Sequence, residues 1–403
     1  MSPRVLVTDA ARGCAIAVIR SLGRRGLDVI AADSEGRSPG FYSRYASDRL
    51  RYPPPRTDPE GAVATLLRAA RERRVDLIVP VTEEMVLLLS EARDRFTGTA
   101  ALALPDRDAY ARTRDKLATL ELAEETGVPA PRTQLVTTTR EALAAASSIG
   151  WPVVVKPRSA SIFRDGGPVE LYEVSYAENA RELGEQMGRL EGRSEVLLQE
   201  YYPGEGHGVE LILERGRPLA AFQHRRLREV PVTGGASSFR ESVPLDPVLY
   251  DYAVRLLDAL HWTGLAMVEF KLGEQGPRLM EINGRIWGSL PLAVKSGMDF
   301  PGRMVDLYLG SSSVRNGSPD MDYLLGVRSH NLDLEVIWIG SALRGRRRRL
   351  VRTPGRRDAF AAALSLVNPR GSFDLLCRDD PRPGLVELAR IARKVRRKVA
   401  LGR

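Results

Sequence analysis

Val268-Glu269-Phe270-Lys271, the turn Gly273-Glu274-Gln275-Gly276-Pro277, and Leu279-Met280-Glu281-Ile282-Asn283-Gly284-Arg285 together read as a β-hairpin. Two short apolar-rich runs flank a polar Gly/Pro turn, and such turns reverse a chain at low conformational cost. Glu269 sits between Val268 and Phe270, and Glu281 and Asn283 are one residue apart, so the period of two puts the latter pair on one face. Oxygen ligands on one face of adjacent strands suit a hard cation such as Mg²⁺, with nucleotide phosphates and waters filling its octahedron. Arg285, two residues further on, is in reach of the charge that develops when a phosphoryl group moves. The plainer alternative is a half-exposed hairpin with solvated carboxylates. It leaves unexplained why Glu269 interrupts a run otherwise fit for burial.

The chain has 403 residues, 43% of them apolar, enough for two or three substructures around substantial cores in a soluble globular protein. No apolar run is long enough to cross a membrane. Arg4-Val5-Leu6-Val7 enters a strand-like run at once with no basic-then-apolar leader, so a cytoplasmic location is expected. Cys14 and Cys377 lie too far apart for a disulfide framework or metal knuckle, and the four scattered histidines argue against a zinc hydrolase. The net charge of +9 is uneven: residues 341–403 carry 18 Lys/Arg against 5 Asp/Glu, a net of +13, which leaves −4 for residues 1–340. Basic character belongs to the tail, and no nucleic-acid partner is expected of the body.

Residues 4–33 read strand, loop, helix, strand, a βαβ start that predicts a parallel sheet. The first turn, Thr8-Asp9-Ala10-Ala11-Arg12-Gly13, lacks G-x-G-x-x-G, so the unit reads as scaffold or substrate wall rather than a dinucleotide cradle. The buried strand at 76–81 leads into Thr82-Glu83-Glu84, where acidic residues suit a helix dipole and Glu83 is also a candidate substrate contact. A long helix is expected from Asp106 through Thr113-Arg114-Asp115-Lys116 to Glu125. Trp151-Pro152-Val153-Val154-Val155-Lys156-Pro157 is a strand ending in a lysine. The chain has six lysines against 54 arginines, and Lys116 and Lys156 stand where a compact ammonium would serve a phosphate. The small-residue loop from Arg158 to Gly167 reads either as a fold over phosphates or as an ordinary hairpin loop.

Four motifs in this order carry a resemblance: a helix headed by Asp115-Lys116, Val155-Lys156-Pro157, Gln199-Glu200-Tyr201-Tyr202-Pro203-Gly204, and Glu269…Glu281-x-Asn283-x-Arg285. Over roughly residues 1–310 the sequence resembles the ATP-grasp superfamily, closest to its carboxylate–amine ligase and carbamoyl-phosphate-synthetase-like branches. The resemblance implies an α/β and α+β architecture, two α+β lobes clamping ATP. A Rossmann-like pre-ATP-grasp domain would span 1–106, an ATP-grasp domain 107–310 (first lobe 107–200, second 201–310), and a basic extension 311–403. It implies that Lys116 and Lys156 contact ATP phosphates, Lys156 also near the adenine. Glu200 and the Tyr201-Tyr202 backbone would line the adenine at the hinge, and Glu205, with His207 nearly as well placed, would hold the ribose. Glu269, Glu281 and Asn283 would bind one or two Mg²⁺, or Mn²⁺ as a substitute. Arg285, with Arg226 from the Gln223-His224-Arg225-Arg226 run, would stabilise the transferring phosphoryl group and the substrate carboxylate. The segment from Trp287 would pack beside the acceptor site. Two departures stand out: the ribose acid is ambiguous, and the loop at 158–167 is poor in glycine for a lid.

The implied reaction is ATP-dependent joining of a small-molecule carboxylate to an amine, a carbon–nitrogen ligase chemistry releasing ADP and phosphate. Within it, a phosphotransferase variant stays open. A nicotinamide-dependent oxidoreductase lacks its glycine fingerprint, and a non-catalytic membrane adaptor would have no use for the Glu269–Arg285 set. Beyond residue 310 the resemblance fades. Residues 333–339 form an apolar run, Arg344–Arg349 a basic cluster, and residues near 384–403 a helix. Its apolar face is expected at Leu385, Leu388, Ile391, Ala392, Val395 and Val399, opposite Arg390, Arg393, Lys394, Arg396, Arg397 and Lys398. That pattern suits an anionic membrane surface or a protein partner, including a homodimer, and more commonly a packing helix with a solvated face.

Overall fold

Five parallel strands open the chain: β1 (Arg4–Val7), β2 (Asp28–Asp33), β3 (Asp48–Arg51), β4 (Leu77–Val79) and β5 (Ala101–Leu102), ordered β3-β2-β1-β4-β5. The near-continuous apolar runs of β1, β2 and β4 suit burial on both faces, while β3 is a polar edge, and α1 (Gly13–Arg24), α2 (Pro59–Glu72) and α3 (Glu83–Glu91) are the crossovers. Thr82 caps α3 by accepting from the Met85 amide, and Asp58 caps α2 by accepting from Gly61. The structure, a computed structural model, describes residues 2–158, 161–162, 170–171, 174–231, 234–310, 318–344, 353–368 and 371–400. Apart from Arg158 and the short strands named below, the expected phosphate loop at 158–167 lies outside the described residues. So do Thr233, the basic cluster after Arg344, and Leu401–Arg403.

The single long helix expected from Asp106 to Glu125 is two helices, α4 (Arg107–Arg114) and α5 (Lys116–Glu125). Asp115 takes extended backbone angles and its carboxylate accepts from the Leu117 amide at 2.9 Å, so it ends one helix and caps the next. A cap at this point makes Lys116 the first residue of α5.

An antiparallel sheet follows, β10-β7-β11-β6, from β6 (Thr133–Val136), β7 (Val153–Pro157), β10 (Ser175–Ala177) and β11 (Val196–Glu200). The short pair β8 (Ser161–Ile162) and β9 (Glu170–Leu171) lies between β7 and β10 in the chain. Helices α6 (Thr139–Ile149) and α7 (Ala180–Leu190) cover one face, and α6 starts with a capping box of Thr138 and Glu141. This lobe has a core of its own, built from Val136, Ala146, Val155, Leu183, Met187 and Leu198.

The third sheet runs β16-β15-β12-β13-β14-β17-β18. Its strands are β12 (Glu205–Glu214), β13 (Arg217–Val230), β14 (Ala236–Ser242), β15 (Gly264–Gly273), β16 (Gly276–Asn283), β17 (Arg328–His330) and β18 (Gly371–Phe373). All neighbours are antiparallel except β17 and β18. Helix α8 (Pro247–Ala259) covers one face, α9 (Leu290–Lys295) and α10 (Phe300–Leu309) the other. Both cores are shared with the parallel sheet: Trp262 and Phe270 join Leu6 and Ile78, while Trp287 and Phe300 join Val5 and Val79. Trp262 and Trp287 are completely buried, each stabilising the union by roughly 2–3 kcal/mol. The first and third sheets therefore form one packed body, and the second is a separately cored lobe.

The C-terminal part is woven into that body. Helices α11 (Leu332–Arg344) and α12 (Arg356–Ser365) pack through Trp338, Ala342, Ala359 and Ala362. Buried ion pairs tie this part down: Arg240 to Asp374 at 2.6 Å, Arg228 to Glu335 at 2.6 Å, and Arg20 to Asp380 at 2.9 Å. The last helix, α13 (Arg382–Ala400), differs from expectation in its docking face. Gly384 and Ile391 are buried, whereas Leu385, Leu388, Ala392 and Val395 of the expected apolar face point outward. On the docked side Lys394 pairs with Asp333 at 2.6 Å and Arg390 with Glu35 at 3.3 Å.

Candidate active site

The opening hairpin is β15–β16, closed by a two-residue turn with Gly276 at φ +86°, a conformation glycine adopts without strain. Register places Glu269 opposite Glu281 and Met267 opposite Asn283. A bulge follows: Phe270 pairs with Leu279, leaving Met280 as the extra residue. Asn283 Nδ2 donates to Glu269 Oε1 at 2.9 Å and to Glu281 Oε1 at 3.0 Å, so the three expected metal ligands meet.

Neighbouring strands add charge to the same face. Pairing puts Gly206 beside Lys271, and Gly208 beside Glu269 and His224. These glycines leave room: a Cβ at Gly208 would lie 2.4 Å from His224 Cε1, and one at Gly206 would lie 3.0 Å from Arg226 Cδ. In that room Arg226 reaches Glu269 as an ion pair, with Glu229 at 3.2 Å and the Gly235 carbonyl at 3.0 Å also accepting from it. Below, Ser289 donates to Glu210 Oε1 at 2.8 Å, and Glu210 in turn lies 3.0 Å from the fully buried His224.

Between the second and third sheets lies a cavity of about 340 Å³. A second, of about 230 Å³, adjoins it, and both are lined by Lys156, Glu281, Asn283 and Arg285. The larger runs from the hinge (Glu200, Tyr201, Tyr202) past Glu269 to Ser237, Ser289, Asn331 and Leu334. Tyr201 stands edge-on to Tyr176, and the Lys271 ammonium lies 5.5 Å from its ring centre. The Glu200 carboxylate is held by Arg132 at 2.6 Å. Lys116 lines the smaller cavity and donates to the Pro157 carbonyl at 3.0 Å; Glu83 lines it too, paired with Arg114 at 3.0 Å.

Electrostatics separates the two carboxylates. Burial raises Glu269, and the Glu281 charge adds to this against the pull of Arg226. Burial also pushes Glu281 up, but Asn283, Arg226, Lys156 and Arg285 outweigh it and hold its carboxyl below the usual range. Desolvation lowers the Lys156 ammonium to about 8, although Glu281 opposes the shift.

Two expected ribose contacts are not brought to the cavity. Glu205 and His207 alternate with Gly206, so the pleat turns them to the opposite face. There Glu205 lies 3.3 Å from His207 Nε2 and 3.6 Å from Arg225, and Gln223 is 3.1 Å from His207 Nδ1. Conversely, Lys271, Glu229, Asn331 and Leu334 line the cavity without having been singled out. Lys271 was findable, as one of six lysines and two residues from Glu269 on the same strand face. Glu229 follows register shifts in β13, and Asn331 and Leu334 lie beyond the region of resemblance.

Comparisons with known proteins agree with this geometry. Residues 193–329, from the hinge strand through the Glu269–Arg285 hairpin, match the family model described as ATP-grasp in the biosynthetic pathway with Ter operon. The chain carries an ATP-grasp domain. It is 26% identical over 309 residues to the carbamoyl phosphate synthase large chain of Thermomicrobium roseum, 74% of this chain and 28% of that one. It is 31% identical over 161 residues to the formate-dependent phosphoribosylglycinamide formyltransferase of Rhodococcus jostii, 38% of this chain and 37% of that one. The chain thus spans well under half the length of either relative, 28% of the first and 37% of the second.

Among solved structures, the chain resembles biotin carboxylase from Campylobacter jejuni, crystallised as a β,γ-ATP complex, with a TM-score of 0.62 at 18% identity over 81% of this chain and 74% of that one. It also resembles an L-amino acid ligase from Bacillus licheniformis, with a TM-score of 0.59 at 16% identity over 76% and 74% of the two chains. At such identities the likeness establishes the fold alone.

The ATP-grasp hairpin also passes a chemical test for a cation. Among the described residues no three His, Cys, Asp or Glu side chains are grouped to hold a metal by themselves. Two carboxylates bridged by the Asn283 amide N–H group supply an incomplete set of oxygens, which fits a hard ion that takes its remaining ligands from phosphates and water.

Proposed function

We propose that this protein is an ATP-dependent ligase that activates a substrate carboxylate as an acyl phosphate and joins it to an amine, releasing ADP and phosphate. The observation that carries this reading is the convergence of Glu269, Glu281, Asn283, Arg226, Arg285 and Lys156 on one cavity between two antiparallel sheets. Nothing in that set is a protein nucleophile with its base; everything in it serves to position and neutralise phosphate.

A carboxylate is a poor electrophile, and moving the γ-phosphoryl of ATP onto it creates a leaving group. Tyr201, Tyr202 and Glu200 line the end of the cavity suited to the adenine, and Lys156 and Lys116 hold the phosphates. Glu269, Glu281 and Asn283 would hold Mg²⁺ or Mn²⁺, and such an ion would supply positive charge beside the transferring group. Arg285, with Arg226, orients the acceptor carboxylate for in-line attack. An amine then displaces phosphate from the acyl carbon, forming the amide and releasing a proton. The separately cored second lobe suits closure that keeps water from the acyl phosphate.

The decisive experiment measures ADP and phosphate release from Mg·ATP against pooled amino acids, dipeptides and other small carboxylates, with mass spectrometry of the products. Condensed product in the native protein, with at least a hundredfold less from Glu281→Gln, supports the ligase. A phosphorylated end product with no amide assigns a phosphotransferase instead, and failure to bind Mg·ATP overturns the reading.

A further inference from the structure

We infer that the outer face of α13 seats this protein on an anionic phospholipid surface. Helix α13 docks by its charged side: Glu387 and Arg390 are mostly covered, Lys394 reaches Asp333, and Ile391 is buried. That leaves Leu385, Leu388, Ala392 and Val395 in one outward stripe at helical spacing, with Leu385 60% exposed. Exposed Arg393, Arg396 and Arg397 flank it. A helix stabilised only by its own body would turn this stripe inward, since covering it would stabilise the fold by several kcal/mol. Exposure of this kind is concentrated at this end: every large apolar side chain more than half exposed among the described residues lies beyond residue 320.

Charge decides what covers the stripe. Residues 341–403 carry a net of +13, so a symmetric contact with a second copy would set like charges against each other. Four modest apolar side chains also fall well short of the roughly 800 Å² per partner of a stable protein interface. A bilayer surface rich in phosphate accepts both features, apolar side chains into the acyl boundary and guanidinium groups among the headgroups. The helix lies on such a surface, because no helix among the described residues is long and apolar enough to cross one.

Flotation of the full chain with vesicles of phosphatidylcholine, with or without phosphatidylglycerol, tests this. Binding is expected only to the vesicles containing phosphatidylglycerol, weakening as salt is raised. Arg396→Glu with Arg397→Glu should lower the affinity at least tenfold, since each surface arginine is worth roughly fivefold. Leu385→Glu with Leu388→Glu should do the same, and both variants should keep the native thermal midpoint because these side chains face outward. Equal binding to neutral vesicles, no binding at low salt, or undiminished binding by the leucine variant overturns the inference. So does a concentration-dependent dimer, seen by light scattering, that Leu385→Glu dissolves, since the face would then belong to a second copy.

Discussion

The Arg226 guanidinium is ion-paired to the Glu269 carboxylate with both side chains largely buried, 9% and 12% exposed. Glu269 therefore has a counter-charge within the chain, independent of any bound ion. Removing one partner of a buried pair leaves an uncompensated charge, which costs about 3–5 kcal/mol unless the survivor changes protonation. Burial already biases Glu269 toward its neutral form, so the expected loss for Arg226→Met is smaller, about 2–4 kcal/mol. Urea unfolding reads this directly. An unchanged midpoint would show that the pair contributes nothing to the fold.

Gly284 joins the proposed metal ligand Asn283 to Arg285, and a Cβ there would lie 2.4 Å from Trp262 Cη2 and 3.0 Å from Tyr110 Cδ2. Trp262 is fully buried in the core shared with the parallel sheet and has no free direction in which to move. Gly284→Ala should therefore destabilise by about 1–3 kcal/mol through overpacking. It should also lower turnover, because relief of the clash displaces the end of β16. Thermal unfolding and ADP release should change together; loss of neither would mean that the tryptophan yields.

Lys295 donates to Ser372 Oγ at 3.1 Å and to the Phe373 carbonyl, fixing β18 to the body. Burial lowers its ammonium to about 8 despite the nearby Asp374. An unfolded lysine titrates near 10.4, so between these values the unfolded chain holds more protons and stability rises with pH. Below pH 8 the cost of burying the charge is felt in full. Stability of the native protein minus that of Lys295→Met should climb by roughly 1–3 kcal/mol between pH 8 and 10. A flat or falling difference from paired denaturation curves would assign the shift to another group.

The hairpin and the meeting of its polar side chains were legible because they are local: a period of two and a turn fix which faces Glu269, Glu281 and Asn283 share. The break at Asp115 was hidden, since Asp-Lys in a helical pattern reads as interior until the cap geometry is seen. The docking face of α13 was misread for a different reason. Apolar spacing reports which side of a helix is greasy, whereas the side that is covered here meets Asp333 and Glu35, more than fifty residues away in the chain. The approach of Asn331 and Leu334 to the cavity depends on β17 pairing with β14, a contact that no local pattern encodes.

The end of the cavity proposed for the nucleotide gives the sharpest contrast between motif spacing and strand pleat. Glu205 and His207 follow the hinge at the spacing implied for a ribose contact, yet the alternation of β12 turns both away from the cavity. Lys271, on the neighbouring strand, lies on the cavity wall with its ammonium 5.5 Å from the Tyr201 ring centre. A nucleotide stacked against Tyr201 would meet this lysine rather than Glu205. Glu205→Gln should leave the KM for ATP within about twofold, since it disturbs only a half-exposed carboxylate's contacts with His207 and Arg225 on the far face, worth at most about 1 kcal/mol. Lys271→Met should raise the KM roughly tenfold by removing a partly desolvated charge facing the nucleotide, about 1.4 kcal/mol of binding. Steady-state kinetics on both variants separates the two faces of the sheet that β12 and β15 share. The reverse ranking, with Glu205→Gln the more damaging, would mean that β12 turns over when nucleotide binds and that the spacing reading was right.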